Sequence, residues 1–228
     1  MYKRQELLET NTKIVRSVVQ QIIKQSPSAI LVIVANPLDA MTHVAYRVSG
    51  FPKHRVVGMA GVLDSARFST FIAEALNVSV HDVYSMVLGG HGDAMVPLVQ
   101  HTTVSGQSVD QWMSKDRLDE LVERTRNGGA EIVNLLKTGS AYYAPAASVA
   151  RMVEAIILDE HKVLPCAALC KGEYGLQGIY MGVPVRLGRN GVEEILEYTL
   201  TTNEKAAFMK AAQEVHKLCQ EVDHILDQ

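Results

Sequence analysis

The sequence predicts an α/β fold, the remainder of a doubly wound parallel sheet followed by an α+β part. Apolar residues at spacings of three and four from Gln5 to Gln25 indicate an amphipathic helix that packs on a sheet. The run AILVIVA (Ala29 to Ala35) is apolar throughout and rich in β-branched residues, which is typical of a parallel strand buried on both faces. A second run, RVVGMAG (Arg55 to Gly61), precedes a helix from about Asp64 to Leu76. Strands and helices therefore alternate as in a doubly wound sheet.

After Val80 the pattern changes to short strands and two long helices. The segments DVYSMVL, VPLVQHTTV and QSV predict an antiparallel layer, and the helices are expected at about Lys115 to Leu136 and Ala144 to Glu160. The segments VLPCAALC, QGIYMGVPVRLG and VEEILEY then predict a meander with a turn at Arg189-Asn190-Gly191. A last helix is expected from Asn203 to about Leu226, capped by Thr202 or Asn203. We expect two domains, an α/β domain at 1–60 and an α+β domain at 61–228.

The composition favours a small-molecule partner. The 228 residues carry a formal net charge of -3, which gives no general attraction to nucleic acid or to an anionic membrane. The start MYKRQELLETN has no apolar core of a signal peptide, and no run of about 18 apolar residues occurs. Three cysteines at unrelated spacings fit neither a disulfide framework nor a zinc site. We therefore expect a cytoplasmic protein with reduced thiols, no metal, and neither a nucleic-acid nor a membrane partner.

His91 is the candidate for acid/base chemistry. It lies in V-L-G-G-H-G-D-A-M-V-P, between glycines and just after an apolar strand, where backbone and ligand approach closely and where α/β proteins place active-site side chains. A general acid/base histidine also needs a carboxylate to fix its tautomer. The sequence offers Asp93 and Asp64 for this. Composition alone favours the alternative of an ordinary surface histidine.

Three further features of the sequence have both a structural and a functional interpretation. Asp64 and Arg67 fit an N-cap with a neighbouring surface ion pair of less than about 1 kcal/mol. Asn36-Pro37 fits an N-cap followed by proline at the first helical position. Arg4 is a cation near a helix N-terminus, where the macrodipole favours an anion. Either a bound anion lies nearby, or the arginine is a mobile side chain at the chain end.

A resemblance to a known family rests on three motifs in order and spacing. ANPLD, GMAGVLDSARF and GGHGDAMVP are similar to the motifs of the malate/lactate dehydrogenase family, NAD-dependent enzymes of 2-hydroxy acids. TGSAYYAPAAS (Thr138 to Ser148) resembles the lactate-dehydrogenase-like malate dehydrogenases more than true lactate dehydrogenases. The resemblance implies a Rossmann-type sheet at 1–60, a substrate-binding/catalytic domain at 61–228, and oxidation of L-malate to oxaloacetate. The alternative is lactate or another 2-hydroxy acid as substrate.

The resemblance also implies a role for each matching residue. His91 corresponds to the proton acceptor and donor, with Asp64 as its orienting carboxylate. Arg67 corresponds to a bidentate clamp on the C1 carboxylate of the substrate, for which a guanidinium is suited. The remaining matches are Arg4, which polarises the C2 oxygen; Asn36, which bonds the substrate and approaches the nicotinamide; the backbone of Val34 and Ala35 beside it; and Asn11 near the cofactor. The family also implies a homo-oligomer, a dimer or a tetramer.

The sequence departs from the family in its nucleotide-binding motif. Family members have G-x-G-x-x-G after a first strand and an acidic residue about 20 positions later, and this sequence has neither. The pairs Gly89-Gly90 and Gly128-Gly129 do not fit the spacing. The segment that selects malate over lactate would precede Arg4, where only Met1-Tyr2-Lys3 stand. We therefore expect an N-terminally truncated chain, inactive alone; the alternative is a short protein that retains the domain for assembly or binding.

Overall fold

The computed structural model describes the backbone of residues 4–227 and the side chains of residues 6–227. The helices are α1 (Arg4–Gln25), α2 (Leu38–Ser49), α3 (Gly61–Leu76), α4 (Lys115–Leu136), α5 (Tyr143–Ile157) and α6 (Thr202–Leu226). The strands are β1 (Leu31–Ile33), β2 (Val56–Gly58), β3 (Val83–Tyr84), β4 (Val87–Gly89), β5 (Met95–Pro97), β6 (Thr103–Val104), β7 (Gln107–Ser108), β8 (Lys162–Lys171), β9 (Gln177–Gly188) and β10 (Gly191–Ile195).

One seven-stranded sheet forms the centre of the fold. Its order is β1-β2-β8-β9-β4-β5, with β10 also paired to β9. β1 and β2 are parallel, and the other pairs are antiparallel. Gly58 at the end of β2 pairs with Ala167 of β8, so both predicted parts contribute to one sheet. The α/β class is therefore confirmed, whereas the division into 1–60 and 61–228 stays a prediction.

Three groups of apolar side chains pack the helices onto this sheet. Leu8, Val15 and Val19 of α1 pack with α2 and with Val222 of α6. Val62 and Leu63 of α3, Met152 of α5 and Phe208 of α6 join the strands of the large sheet. Phe68 and Ile72 of α3 pack with Leu118 and Leu121 of α4 over the small sheet β3-β6-β7. α3 is thereby held between the large sheet and α4.

Most predicted elements are present, with corrections at their ends. α4 has the predicted bounds, and the meander is β8, β9 and β10. The expected cap of the last helix was wrong: Thr201 caps α6 in a capping box with Glu204. AILVIVA is not buried throughout, because β1 is an edge strand among the described residues and the exposed Val34 lies beyond its end. α2 begins at Leu38, with Pro37 rather than Asn36 at the N-cap.

The three cysteines lie inside the fold. Cys166, Cys170 and Cys219 are free thiols and are buried. Burial raises the pKa of Cys170 and of Cys219 to about 12, so these thiols are neutral at physiological pH. Among the described residues, no helix combines the length and apolar character that crossing a bilayer needs.

Candidate functional site

Three backbone segments meet at His91. β4 and β5 form an antiparallel hairpin, and His91 lies in the connection between them. Gly89 has a φ of +90°, which an L side chain rarely adopts, so the chain leaves β4 through a glycine. The first turns of α2 and α3 supply Asp39 and Asp64, which both contact His91. The histidine is therefore fixed by a hairpin and two helix starts.

His91 and Asp64 form a buried pair. Nδ1 of His91 lies 2.9 Å from Oδ2 of Asp64, and the side chains are 18% and 2% exposed. Because a carboxylate only accepts hydrogen bonds, Nδ1 carries the proton and Nε2 is left to exchange one with a ligand. Burial alone lowers the pKa of His91, but the charge and hydrogen bond of Asp64 outweigh it, with help from the charge of Asp39 and against that of Arg67. The pKa of His91 therefore lies above its usual value of 6.5.

Arg67 lies on the same helix as Asp64, one turn later. Nη1 of Arg67 is 3.6 Å from Oδ1 of Asp64, beyond hydrogen-bond distance, and the arginine side chain is 13% exposed. Nε of Arg67 is buried and has no hydrogen-bond partner among the described residues. The guanidinium is therefore largely desolvated, and its donors are not consumed by Asp64.

Gly128 of α4 makes room for Arg67. A Cβ at Gly128 would lie 3.2 Å from Cδ and 3.6 Å from Nε of Arg67. A Cβ at Gly129 would meet the terminal nitrogens of Arg67 only at 3.9 and 4.0 Å. Glycine in a helix interior costs roughly 0.5–1 kcal/mol relative to alanine. Gly128 therefore lowers the stability of α4 slightly but leaves space for the side chain of Arg67.

Asp39 is a second buried carboxylate beside His91. Its Oδ2 accepts the backbone N–H of His91 at 3.2 Å, and its Oδ1 is buried without a hydrogen-bond partner. Burial raises the pKa of Asp39 to about 6, against the lowering effects of the His91 N–H and of the His91 charge. The site thus holds two carboxylates around one imidazole.

The residues matched to the cofactor side lie at the end of β1. Val34 is 43% exposed, Asn36 is exposed, and Ala35 is partly buried. Nδ2 of Asn11 on α1 donates to the backbone O of Asn36 at 2.6 Å, which ties α1 to this turn. The Asn36-Pro37 peptide is cis. Arg4 begins α1, but its side chain lies outside the described part of the chain.

The structure decides between several alternatives that the sequence left open. Of the two carboxylates considered for His91, Asp64 is the one hydrogen-bonded to the ring, and Asp93 is exposed. Asp64 is not an N-cap, because α3 begins at Gly61 and Ala60 occupies the N-cap position, without a side-chain capping bond. Its contact with Arg67 is buried rather than a surface ion pair. The sequence interpretation did not find Asp39 or the contact of Gly128, although ANPLD and the glycine pair were both noted.

Among the described residues, one other cluster has groups that bind metals. Asp159, His161 and Glu193 each place a ligand atom within 4.8 Å of the others. These side chains are already paired: His161 Nδ1 lies 2.8 Å from Glu193, and Arg189 N donates to Asp159 at 2.8 Å. Their arrangement is accounted for by these contacts.

Comparisons with known proteins identify the family. The model of the lactate/malate dehydrogenase NAD binding domain matches residues 2–58, and that of the lactate/malate dehydrogenase alpha/beta C-terminal domain matches residues 61–225. A malate dehydrogenase of Chloroherpeton thalassium is 53% identical over 223 residues, which cover 98% of this chain and 72% of that protein.

Solved structures agree with these sequence matches. The malate dehydrogenase from Salinibacter ruber superposes with a TM-score of 0.96 at 51% identity, covering 100% of this chain and 74% of its own. A lactate dehydrogenase from Cryptosporidium parvum, solved with lactic acid and nicotinamide adenine dinucleotide, gives a TM-score of 0.93 at 44% identity, with coverage of 96% and 71%. The chain therefore belongs to the lactate/malate dehydrogenase family of NAD-dependent oxidoreductases.

Proposed function

We propose that this site interconverts L-malate and oxaloacetate with NAD, and that His91 is its acid/base group. The observation that carries the proposal is the buried contact of His91 Nδ1 with Asp64 at 2.9 Å, which leaves Nε2 to take or give a proton. In malate oxidation, Nε2 accepts the proton of the C2 hydroxyl; in the reverse reaction the protonated ring returns it. The raised pKa of His91 favours the protonated ring, the form that reduction of oxaloacetate requires.

Arg67 is proposed to bind the C1 carboxylate of the substrate. A guanidinium fork matches a carboxylate in a bidentate contact, and its energy is large where water is excluded. Arg67 is mostly buried, and its Nε has no partner among the described residues, so an incoming carboxylate would find free donors in a desolvated place. Oδ1 of Asp64 lies 3.6 Å from Nη1 of Arg67, so its charge can orient the guanidinium without occupying its hydrogen-bond donors.

Residues at the end of β1 suit the nicotinamide end of NAD. Ligands of open α/β sheets bind beyond the carboxyl ends of parallel strands, and the exposed Val34 gives an apolar surface there. We propose that Val34, Ala35 and Asn36 contact this end of NAD, that Asn36 also bonds the substrate, and that Asn11 supports them by holding the Asn36 carbonyl. Bound NAD would accept the hydride that leaves C2. The role of Arg4 in polarising the C2 oxygen rests on its sequence match alone. In this proposal residues 1–60 belong to the dinucleotide-binding part, from which Arg4 and Asn36 also reach the substrate, and residues 61–228 form the substrate-binding/catalytic part.

The test compares two substrates and two histidines. Because the printed sequence has no G-x-G-x-x-G, the kinetic tests use these residues joined to a glycine-rich nucleotide-binding segment, called the complete enzyme below. His91→Asn should lower kcat for oxaloacetate about a hundredfold or more, the usual contribution of a general acid/base. The exposed His216 on α6 is the matched control, and His216→Asn should leave kcat unchanged. Because the segment before Arg4 affects substrate choice, the added segment is taken in turn from a malate and from a lactate dehydrogenase; a preference for pyruvate over oxaloacetate with both would support the lactate alternative instead.

We also propose that the chain is a homo-oligomer, a dimer or tetramer, in the cytoplasm. Large apolar side chains are exposed in the last turn of α4 and at both ends of α5, namely Leu135, Tyr143, Ile157 and Leu158. β1 is also an edge strand among the described residues. Such surfaces are typical of contacts between subunits. Light scattering at micromolar concentration should give a multiple of 25.0 kDa. A stable monomer would contradict the proposal.

The three free thiols support the proposed cytoplasmic location, because the cytoplasm keeps thiols reduced. Fractionation of cells that express the tagged protein tests this location.

A further inference from the structure

The carboxylate of Asp39 occupies a place that packing alone does not explain. It is 5% exposed, in the buried first turn of α2. An apolar residue would fit this environment without the cost of burying a charge. Instead one oxygen accepts the His91 N–H at 3.2 Å and the other has no partner among the described residues.

The charged and titratable groups around Asp39 belong to three elements. The imidazole of His91 comes from the β4–β5 hairpin, and Asp64 comes from α3. The charge of Asp39 also acts on Cys219 of α6. Burial raises the pKa of this thiol to about 12, so the thiol stays neutral. His91 itself is faced by Asp39, Asp64 and the guanidinium of Arg67. Of the side chains that act most strongly on the pKa of Asp39, His91 is the one that can be cationic.

We propose that Asp39 is a positioning residue for His91, which fixes the His91 loop through the backbone amide and stabilises the protonated imidazole by its charge. Asp64 then holds the ring, and Asp39 holds the backbone that carries it. The reasoning rests on the proposed function only in taking His91 as the acid/base group.

The consequence differs between the two directions of the reaction. Removing the Asp39 charge destabilises the protonated imidazole and leaves the neutral form favoured. Asp39→Asn should therefore lower kcat/KM for oxaloacetate near neutral pH, and it should extend malate oxidation to lower pH. A substitution that only loosens the structure would lower both directions together.

The direct test is a titration of the His91 ring by NMR in the 228-residue chain. Asn keeps a side-chain oxygen, so Asp39→Asn should retain the slow hydrogen exchange of the His91 amide while the ring titration moves to lower pH. Asp39→Ala should lose both, because no acceptor remains. Asp223 is the control: it is hydrogen-bonded to His43 and Arg47, and Asp223→Asn should leave the His91 titration in place. An unchanged His91 titration in folded Asp39→Asn would refute the inference.

The reverse measurement decides the case if Asp39→Asn does not fold. Coupling between two titrating groups is reciprocal, so loss of the imidazole must act on Asp39 as strongly as loss of Asp39 acts on the imidazole. In His91→Asn the backbone N–H remains, and the titration of the Asp39 carboxyl carbon should move to higher pH. No movement would overturn the proposal. If the titrations move but the rates of the complete enzyme do not follow, the assignment of His91 as acid/base group fails and the role of Asp39 stands.

Discussion

Gly128 of α4 lies against the side chain of Arg67, so closely that a Cβ at this position would come within 3.2 Å of Cδ. The absence of a side chain on one helix thus sets the position of a guanidinium on another. Because the contact is to the stem of Arg67, a methyl group there would displace the fork as well.

Gly128→Ala should separate stability from substrate binding. Alanine improves helix propensity by roughly 0.5–1 kcal/mol, yet the arginine must shift by a few tenths of an ångström. We expect KM of the complete enzyme for oxaloacetate to rise severalfold while the free energy of unfolding is maintained. Gly129→Ala, whose Cβ makes ordinary contacts at 3.9 and 4.0 Å, should show the gain in stability without the rise in KM. Equal KM values for the two variants would show that Gly128 does not position Arg67 for substrate binding.

Arg67→Lys keeps the charge and loses the fork. If the substrate carboxylate is held bidentately, the change should cost about 3 kcal/mol or more in transition-state binding, which is about two orders of magnitude in kcat/KM. Steady-state kinetics of the complete enzyme with oxaloacetate measures it. A variant within threefold of the parent would reduce Arg67 to a structural partner of Asp64.

Asp39→Asn should stabilise the fold above pH 6. Burial raises the pKa of Asp39 from 3.8 to about 6, so the folded state holds this proton more tightly than the unfolded state. Stability is therefore lost as pH rises from about 4 to about 6, on the order of 3 kcal/mol in total. Urea unfolding should show little difference between Asp39→Asn and the parent at pH 4 and a more stable variant at pH 7. An equal difference at both pH values would mean that the carboxylate does not titrate in this range.

The His91–Asp64 pair has the same pH sign. The raised folded pKa of His91 means that its contribution to stability is complete below pH 6.5 and is lost as pH rises through the folded pKa. Asp64→Asn should weaken the fold more at pH 6 than at pH 9. The difference between those two pH values, from urea unfolding, is the measurement; a loss independent of pH would attribute the effect to packing.

A polypeptide of the 228 printed residues should bind NADH weakly. In this kind of fold most affinity comes from the pyrophosphate on a glycine-rich turn and from an acidic residue on the ribose, and the printed sequence has no such motif. Contacts at the nicotinamide end alone should give a dissociation constant in the millimolar range, about 4 kcal/mol. Isothermal titration measures this directly. A constant below about 10 μM would mean that other residues, or a second subunit, complete the nucleotide site.

The sequence predicted the elements better than the contacts between them. α4 has the bounds that the sequence predicted, and in the structure Ser114 caps its start. The motifs containing His91, Asp64 and Arg67 were identified because they are contiguous in the chain. Asp39 stands in the identified motif ANPLD, but its role was not predicted, since its contact with the His91 amide joins positions 52 apart in sequence. In the sequence, Gly128 was considered only for the G-x-G-x-x-G motif, whose spacing it does not fit. Its contact with Arg67 could not be predicted, because that contact depends on how α3 and α4 pack.

The pairing of Gly58 with Ala167 gives the molecule a mechanical property. From β1, where the nicotinamide would lie, backbone hydrogen bonds run without interruption through β2, β8 and β9 to the β4–β5 hairpin that carries His91. The proposed hydride acceptor and the proposed proton acceptor would thus be carried by one sheet. Relative displacement of the two groups along the sheet would break strand pairs, so we expect the motions that admit substrate to come from the helices and loops around the sheet.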